Sequence, residues 1–334
     1  MARMGKIAAL AAPFPGFVMV ADASRVLWQK RPGTCPSGTR DEIVLCHPRD
    51  PAQLTRPWAS VTKQVVAVLV MQEVERGRLQ LDAPASRWLP TLEQSVASPT
   101  IRQLLQHRAG LRNPEDSPKD ASGLPSFYVD GGNGGAALDW CLGQRGPAGG
   151  NWRYNNCDYL ILGAILEKAS GRTLPALFAE RIARPLALDH ETRFLELGDR
   201  AGAFTRPLED ALAARYGAAG GLVGPANDLL AIDRALLAGR LLTAESRALL
   251  WNGDPKLGFM ALGQWAFSVP LTNCARPVRI IERRGAIGRI QVRNILLPEG
   301  NLAVIVFIDD AGFDFGEIWQ GRGFSHDLLA AAAC

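Results

Sequence analysis

Lysine is scarce in this 334-residue chain: only six of its thirty-seven basic residues are lysines, and the rest are arginines. Arginine does not give up its proton near neutral pH, whereas a buried lysine can, so a lysine at a place where a base is wanted carries information. Histidine is scarcer still. His47, His107, His190 and His326 stand far apart with neither H-x-x-x-H nor Cys-His ligand spacing, which argues against a zinc hydrolase and leaves no metal or cofactor expected. There is no G-x-S-x-G elbow for an α/β-hydrolase triad. The glycine cluster from Gly131 to Gly135 leads to no G-K-[ST], and reads as a loop at the rim of a cleft. No apolar run has the length and purity of a membrane span, so no stable membrane insertion is expected. Internal repeats are absent, and the only low-complexity tract is Ala330–Ala333.

The formal charge of +4 is mild for this length and favours neither nucleic acid nor a membrane surface. Six arginines between Arg276 and Arg293 alternate with Val278, Ile280, Ile281, Ile287, Ile290 and Val292, a pattern of sheet without the aromatic set of a nucleic-acid surface. At 47% apolar the chain can bury a large core and divide into two lobes.

The sequence Ser60-Val61-Thr62-Lys63 puts a hydroxyl and an amine three residues apart, at the head of the apolar run Val65–Met71 with Val74, which Gly77 ends. Positions i and i+3 share a helix face, so the amine can reach the serine oxygen, and a nucleophile there also gains from the positive end of the helix dipole. By itself the tetrad is equally a helix-capping serine followed by a solvated lysine. A second segment, Tyr154-Asn155-Asn156, precedes another buried run, Tyr159–Leu166, that closes at Gly171.

Together with Leu81-Asp82-Ala83-Pro84, the stretch Ile101–His107 leading to Gly110-Leu111, and Gly220-Gly221-Leu222-Val223 leading to Asp228-Leu229, these segments resemble, in order, the serine β-lactamase and penicillin-binding-protein superfamily. The likeness is to its class C-like branch of β-lactamases, D-amino-acid peptidases and esterases, from about Pro15 to Asp310. It implies Ser60 as the acylated nucleophile, Lys63 as the amine that helps remove its proton, Tyr154 as a phenol in proton transfer, and Asn156 as an amide that holds substrate. A phenol between cations could lose its proton below its usual pKa of about 10. The family's third motif, Lys or His, any residue, then Gly, is best matched by Arg283-Arg284-Gly285, a departure at Arg283. Arginine keeps the charge and can grip a carboxylate, yet cannot titrate. In a strand Arg283 and Arg284 face opposite ways. Backbone N–H groups of Ser60 and Ala286 would form the oxyanion hole.

The implied fold is α+β: an antiparallel sheet from both chain ends, flanked by helices, with a mainly helical lobe inserted. The expected lobes are 1–59 with 219–334, and 60–218, with the cleft at their junction. Expected strands are Gly16–Val20 and Arg25–Gln29 as a hairpin, then Phe259–Phe267, Val278–Arg283 and Leu302–Ile308. Six cysteines can pair as neighbours, Cys35 with Cys46, Cys141 with Cys157 and Cys274 with Cys334, which would suit a periplasmic or secreted bacterial enzyme; free thiols would suit a cytoplasmic one. Arg3 and Lys6 before Ile7–Ala12 resemble a short leader, but a cut at Ala21-Asp22-Ala23 would remove a strand. The expected function is a serine hydrolase acting through an acyl-enzyme on an amide, β-lactam or ester, with a small molecule or peptide as partner. The alternatives are a penicillin-recognising sensor that acylates without turnover, a small-ester carboxylesterase, or a non-covalent binder. Oligomeric state is left open.

Overall fold

The computed structural model describes residues 2–30, 50–93, 98–121, 123–129, 135–143, 146–202 and 205–334. Its principal sheet has six strands, β1 (Phe17–Ala21), β2 (Val26–Gln29), β6 (Trp265–Val269), β7 (Val278–Ile287), β8 (Ile290–Leu297) and β9 (Leu302–Asp309), in the order β2-β1-β9-β8-β7-β6. Every neighbour is antiparallel, and the closure of the N-terminal hairpin on the C-terminal strands is the register Phe17↔Phe307 to Ala21↔Ala303. A second, small sheet joins β3 (Arg56–Pro57), β4 (Arg193–Phe194) and β5 (Leu222–Gly224) in the order β3-β5-β4.

Alternate residues of the large sheet feed two cores because side chains on a strand point to opposite faces. Val18, Val20, Ile280, Val304 and Val306 pack with Ile7 and Ala11 of α1 (Ala2–Ala11) and with Leu328, Leu329 and Ala332 of the C-terminal helix. Phe17, Met19, Ile281, Ile305 and Phe307 join the other core with α2 (Thr62–Glu75), α4 (Asn156–Ser170) and α5 (Ala226–Leu237); α3 (Gly135–Cys141) docks beside α4. Burial on both faces is why β1 and β9 read as unbroken apolar runs.

The expected hairpin and the strands at 278 and 302 are present, β7 running on to Ile287. The strand expected from Phe259 begins six residues later. Phe259 has φ +65° and Gly263 φ +84°, and the chain doubles back so that Ala261 N–H meets Gln264 O before β6 starts. Gly263 has to be glycine, since a Cβ there would stand 2.8 Å from Ala67 Cβ and 3.0 Å from Lys63 O.

Disulfides join Cys141 to Cys157 and Cys274 to Cys334; the expected Cys35–Cys46 pair lies outside the described residues, as does the glycine cluster up to 134. Residues 17–21, which a cut at Ala21–Ala23 would remove, form a fully buried inner strand. No helix among the described residues is long and apolar enough to cross a membrane.

Candidate active site

Ser60 sits in a single 3-10 turn, Ala59–Val61, that feeds directly into α2. Ala59 is held at φ +46°, a left-handed conformation costly for a residue with a Cβ, so the turn is strained and depends on its surroundings to persist. The small sheet supplies that support: Trp58 N–H donates to Leu222 O, its indole N–H to Gly224 O, and Leu222 N–H to Thr62 Oγ1. From the other side β7 presses close. A Cβ on Gly285 would stand 2.7 Å from Trp58 O and 3.1 Å from Ser60 N, so only glycine allows the approach.

Ser60 Oγ lies 2.6 Å from Tyr154 Oη, and Lys63 Nζ donates to Ser60 Oγ at 3.2 Å. Lys63 is fully buried and also donates to Asn156 Oδ1 at 2.7 Å and to Ala219 O at 2.6 Å. Arg283, 1% exposed, donates from Nε to Ser60 O at 3.0 Å and from Nη2 to Tyr154 Oη at 3.4 Å, and packs over Trp265. Arg284 points away, to Glu282 and Glu317, as strand alternation requires. These groups face a pocket of about 320 Å³ whose lining includes Glu115, Gly285, Ala286, Gln291 and Arg293.

Burial, reinforced by the Arg283 charge, holds the Lys63 ammonium well below the ordinary lysine range. The phenol of Tyr154 moves the other way: burial raises it, outweighing Arg283 and the hydrogen bond to Ser60 that favour the phenolate. The expectation of an acidified tyrosine is therefore corrected, because desolvation exceeds the help from the neighbouring cation. Of the two groups touching Ser60, the amine is the one whose free-base form is accessible.

Ser60, Lys63, Tyr154, Asn156, Arg283, Gly285 and Ala286 thus come together around one pocket. Asn156, expected to hold substrate, lines the pocket and is also tied into the protein. Its Oδ1 accepts from Lys63 and its Nδ2 donates to Tyr128 Oη, which in turn donates to Glu115 Oε1. Glu115, Tyr128 and Ala219 went unrecognised in the sequence. Ala219 abuts the Gly220-Gly221 segment, and Glu115 follows Gly110-Leu111, but nothing local marks Tyr128.

An S-x-x-K serine set between an antiparallel sheet and a helical span, with a tyrosine hydroxyl closing on it, defines the class of site. The chain belongs to the beta-lactamase family, whose model matches residues 52–319. Esterase EstB of Burkholderia gladioli is 35% identical over 145 residues, 39% of this chain and 36% of that protein. A D-aminopeptidase of Cereibacter sphaeroides is 29% identical over 137 residues, 40% of this chain and 25% of that protein. The chain therefore aligns with about a third or less of the length of these curated relatives. Among solved structures, the D-amino acid amidase from Ochrobactrum anthropi SV3 shares the fold at TM-score 0.73 and 18% identity, covering 99% of this chain and 97% of that one.

Proposed function

We propose that this chain is a serine hydrolase that works through an acyl-enzyme on Ser60. The observation that carries the reading is that one hydroxyl, Ser60 Oγ, lies within hydrogen-bond distance of both a depressed lysine amine and a tyrosine hydroxyl. In its free-base form Lys63 Nζ keeps its two donations to Asn156 Oδ1 and Ala219 O, turns its lone pair to Ser60, and takes the Ser60 proton as Oγ attacks the carbonyl carbon. The oxyanion then accepts from the N–H groups of Ser60 and Ala286; Tyr154 passes a proton to the leaving amine or alkoxide as its bond breaks, and the proton held by Lys63 replaces it, so that both groups return to their starting forms before water enters. Water repeats the sequence on the ester to free the acid and restore Ser60. Arg283, fixed by Ser60 O, contributes a permanent positive charge suited to a carboxylate or carbonyl on the substrate. Asn156 serves here by holding Lys63 in place.

The substrate is a small molecule or peptide with an amide, β-lactam or ester bond. The cleft lies where residues 1–59 with 219–334 meet residues 60–218. Two disulfides support maturation in an oxidising compartment, periplasmic or secreted.

Intact-mass measurement after mixing with a labelled penicillin, together with turnover of nitrocefin, a p-nitrophenyl ester and a D-alanyl peptide, tests the reading. A transient adduct on Ser60 with turnover of one substrate is expected; a lasting adduct without turnover would instead indicate a sensor. S60A is expected to lose adduct and turnover while keeping its fold, and K63A to lose roughly 10²–10⁴-fold. Full activity in S60A would falsify the proposal.

A further inference from the structure

A second titratable pair lies behind the tyrosine, apart from the substrate pocket. The chain before Asn155 is extended, so Arg153 and Tyr154 face opposite ways, and at Asn156 it turns into α4, whose first turn carries Asp158. Tyr154 and Asn156 line the pocket at Ser60, whereas Arg153, Asn155 and Asp158 line a separate cavity of about 510 Å³ together with His107. His107 and Asp158 are 2% and 1% exposed, and Asp158 Oδ2 lies 3.0 Å from His107 Nδ1.

The protonation of this pair follows from its neighbours. The backbone N–H of Asn155 reaches the same His107 Nδ1 at 3.3 Å, and a backbone N–H can only donate. Nδ1 therefore presents a lone pair, and the ring proton is on Nε2. A carboxylate oxygen cannot stand 3.0 Å from that lone pair without a proton between them, which places the proton on Asp158. Oδ1 has no hydrogen-bond partner among the described residues, and an ionised buried carboxylate left so would be costly, whereas His107 Nε2 is without a partner there in either tautomer.

We propose that Asp158 is a neutral carboxylic acid donating its O–H to His107 Nδ1, and that this uncharged pair positions Tyr154 and spares Lys63 a buried anion. The imidazole lies 4.7 Å from the Tyr154 ring and 5.3 Å from the Tyr159 ring, and Lys63 Nζ lies 4.8 and 5.5 Å from the same two rings. His107 and the Lys63 amine thus both pack against the rings of Tyr154 and Tyr159. An anionic Asp158 would draw the proton back onto Lys63, as Glu115 also does more weakly from the pocket, while Arg283 opposes both. Arg112, Asp116 and Arg153 face the pair across the cavity but are exposed to solvent. Burial raises the Asp158 acid, and burial first, then Arg283 and Lys63, lowers the His107 imidazolium; both directions favour the neutral pair. Neither residue lines the pocket at Ser60, so the role is one of positioning.

The inference rests on Lys63 being the base, yet its first test needs no catalysis. Long-range proton–nitrogen NMR of the full chain with ¹⁵N-histidine is expected to show His107 neutral, with a pyridine-type Nδ1 and a protonated Nε2. Infrared spectroscopy is expected to show a protonated-carboxyl band that D158N removes. An Nδ1–H tautomer or an imidazolium at neutral pH overturns the proposal. The second test is the rate at which a fluorophosphonate labels Ser60. D158A is expected to slow labelling on the order of 10–100-fold, and D158N, whose amide can still donate to Nδ1, to recover most of that loss. D158A labelling at the wild-type rate, or D158N no better than D158A, overturns it. If D158A does not fold, the NMR and infrared results decide. A wild-type Ser60 that does not react at all defeats the hydrolase reading instead, and leaves the spectroscopy to judge the pair.

Discussion

At the residue scale, burying the Lys63 ammonium beside the Arg283 guanidinium lowers the cost of reaching the free amine. A base with a lowered pKa is active above that value, so Ser60 acylation should rise with pH along an acidic limb centred well below the ordinary lysine value of about 10.4. A limb that tracks the ordinary value instead would remove Lys63 from the role. Asp233, in the core between α2, α5 and β8, offers a test of stability. It is 1% exposed, accepts from Asn294 Nδ2, and burial pushes its carboxyl up to about 7. Its folded pKa lies above the unfolded one, so folding takes up a proton: the stability present at low pH is lost as pH rises toward 7 and stays lost above it. D233N should therefore melt higher than wild type at pH 8, by a free energy on the order of 4 kcal/mol at most, with the gap shrinking toward pH 4. Calorimetry at the two pH values measures it, and an equal gap at both would contradict the assignment.

At the scale of elements, the approach of β7 to the Ser60 turn is what completes the pocket, and it depends on Gly285. G285A puts a methyl 2.7 Å from Trp58 O, so either strand or turn must move. A destabilisation of about 1–3 kcal/mol is expected by denaturant melting. Because the displaced atoms include Ser60 N, labelling of Ser60 should fall by more than that loss of folding explains; normal labelling would show that the contact has slack. Elements whose logic is local were legible beforehand. The helix from Thr62 follows from an apolar run closed by Gly77 at φ +71°, and α4 from Asn155, which caps Cys157 N, to Gly171 at φ +69°. The onset of β6 was not, because the reversal at Gly263 is imposed by contact with Ala67 and Lys63, which are distant in the sequence.

At the scale of the whole molecule, the two disulfides clamp different junctions. Cys141–Cys157 ties α3 to the first turn of α4, one residue past Asn156, and Cys274–Cys334 ties the C-terminal residue to the segment between β6 and β7. Replacing Cys141 and Cys157 by serine should cost roughly 2–4 kcal/mol, read as a lower Tm under non-reducing conditions. An unchanged Tm, with the bridge verified in wild type by peptide mapping, would show that packing alone holds the Tyr154 segment.

What the sequence determined by itself was whatever depends on neighbours along the chain. The Ser60–Lys63 contact follows from helical spacing and the separate strands from short apolar runs, while their assembly into one sheet was legible only through the family resemblance. Tertiary structure decided the rest, because Tyr154 and Arg283 reach Ser60 across 94 and 223 positions of chain. Only that convergence turned Asn156 inward onto Lys63 and Tyr128. It also withdrew water from a lysine, a tyrosine and an aspartic acid at once, and solvation, which no linear pattern encodes, sets which of them carries a proton.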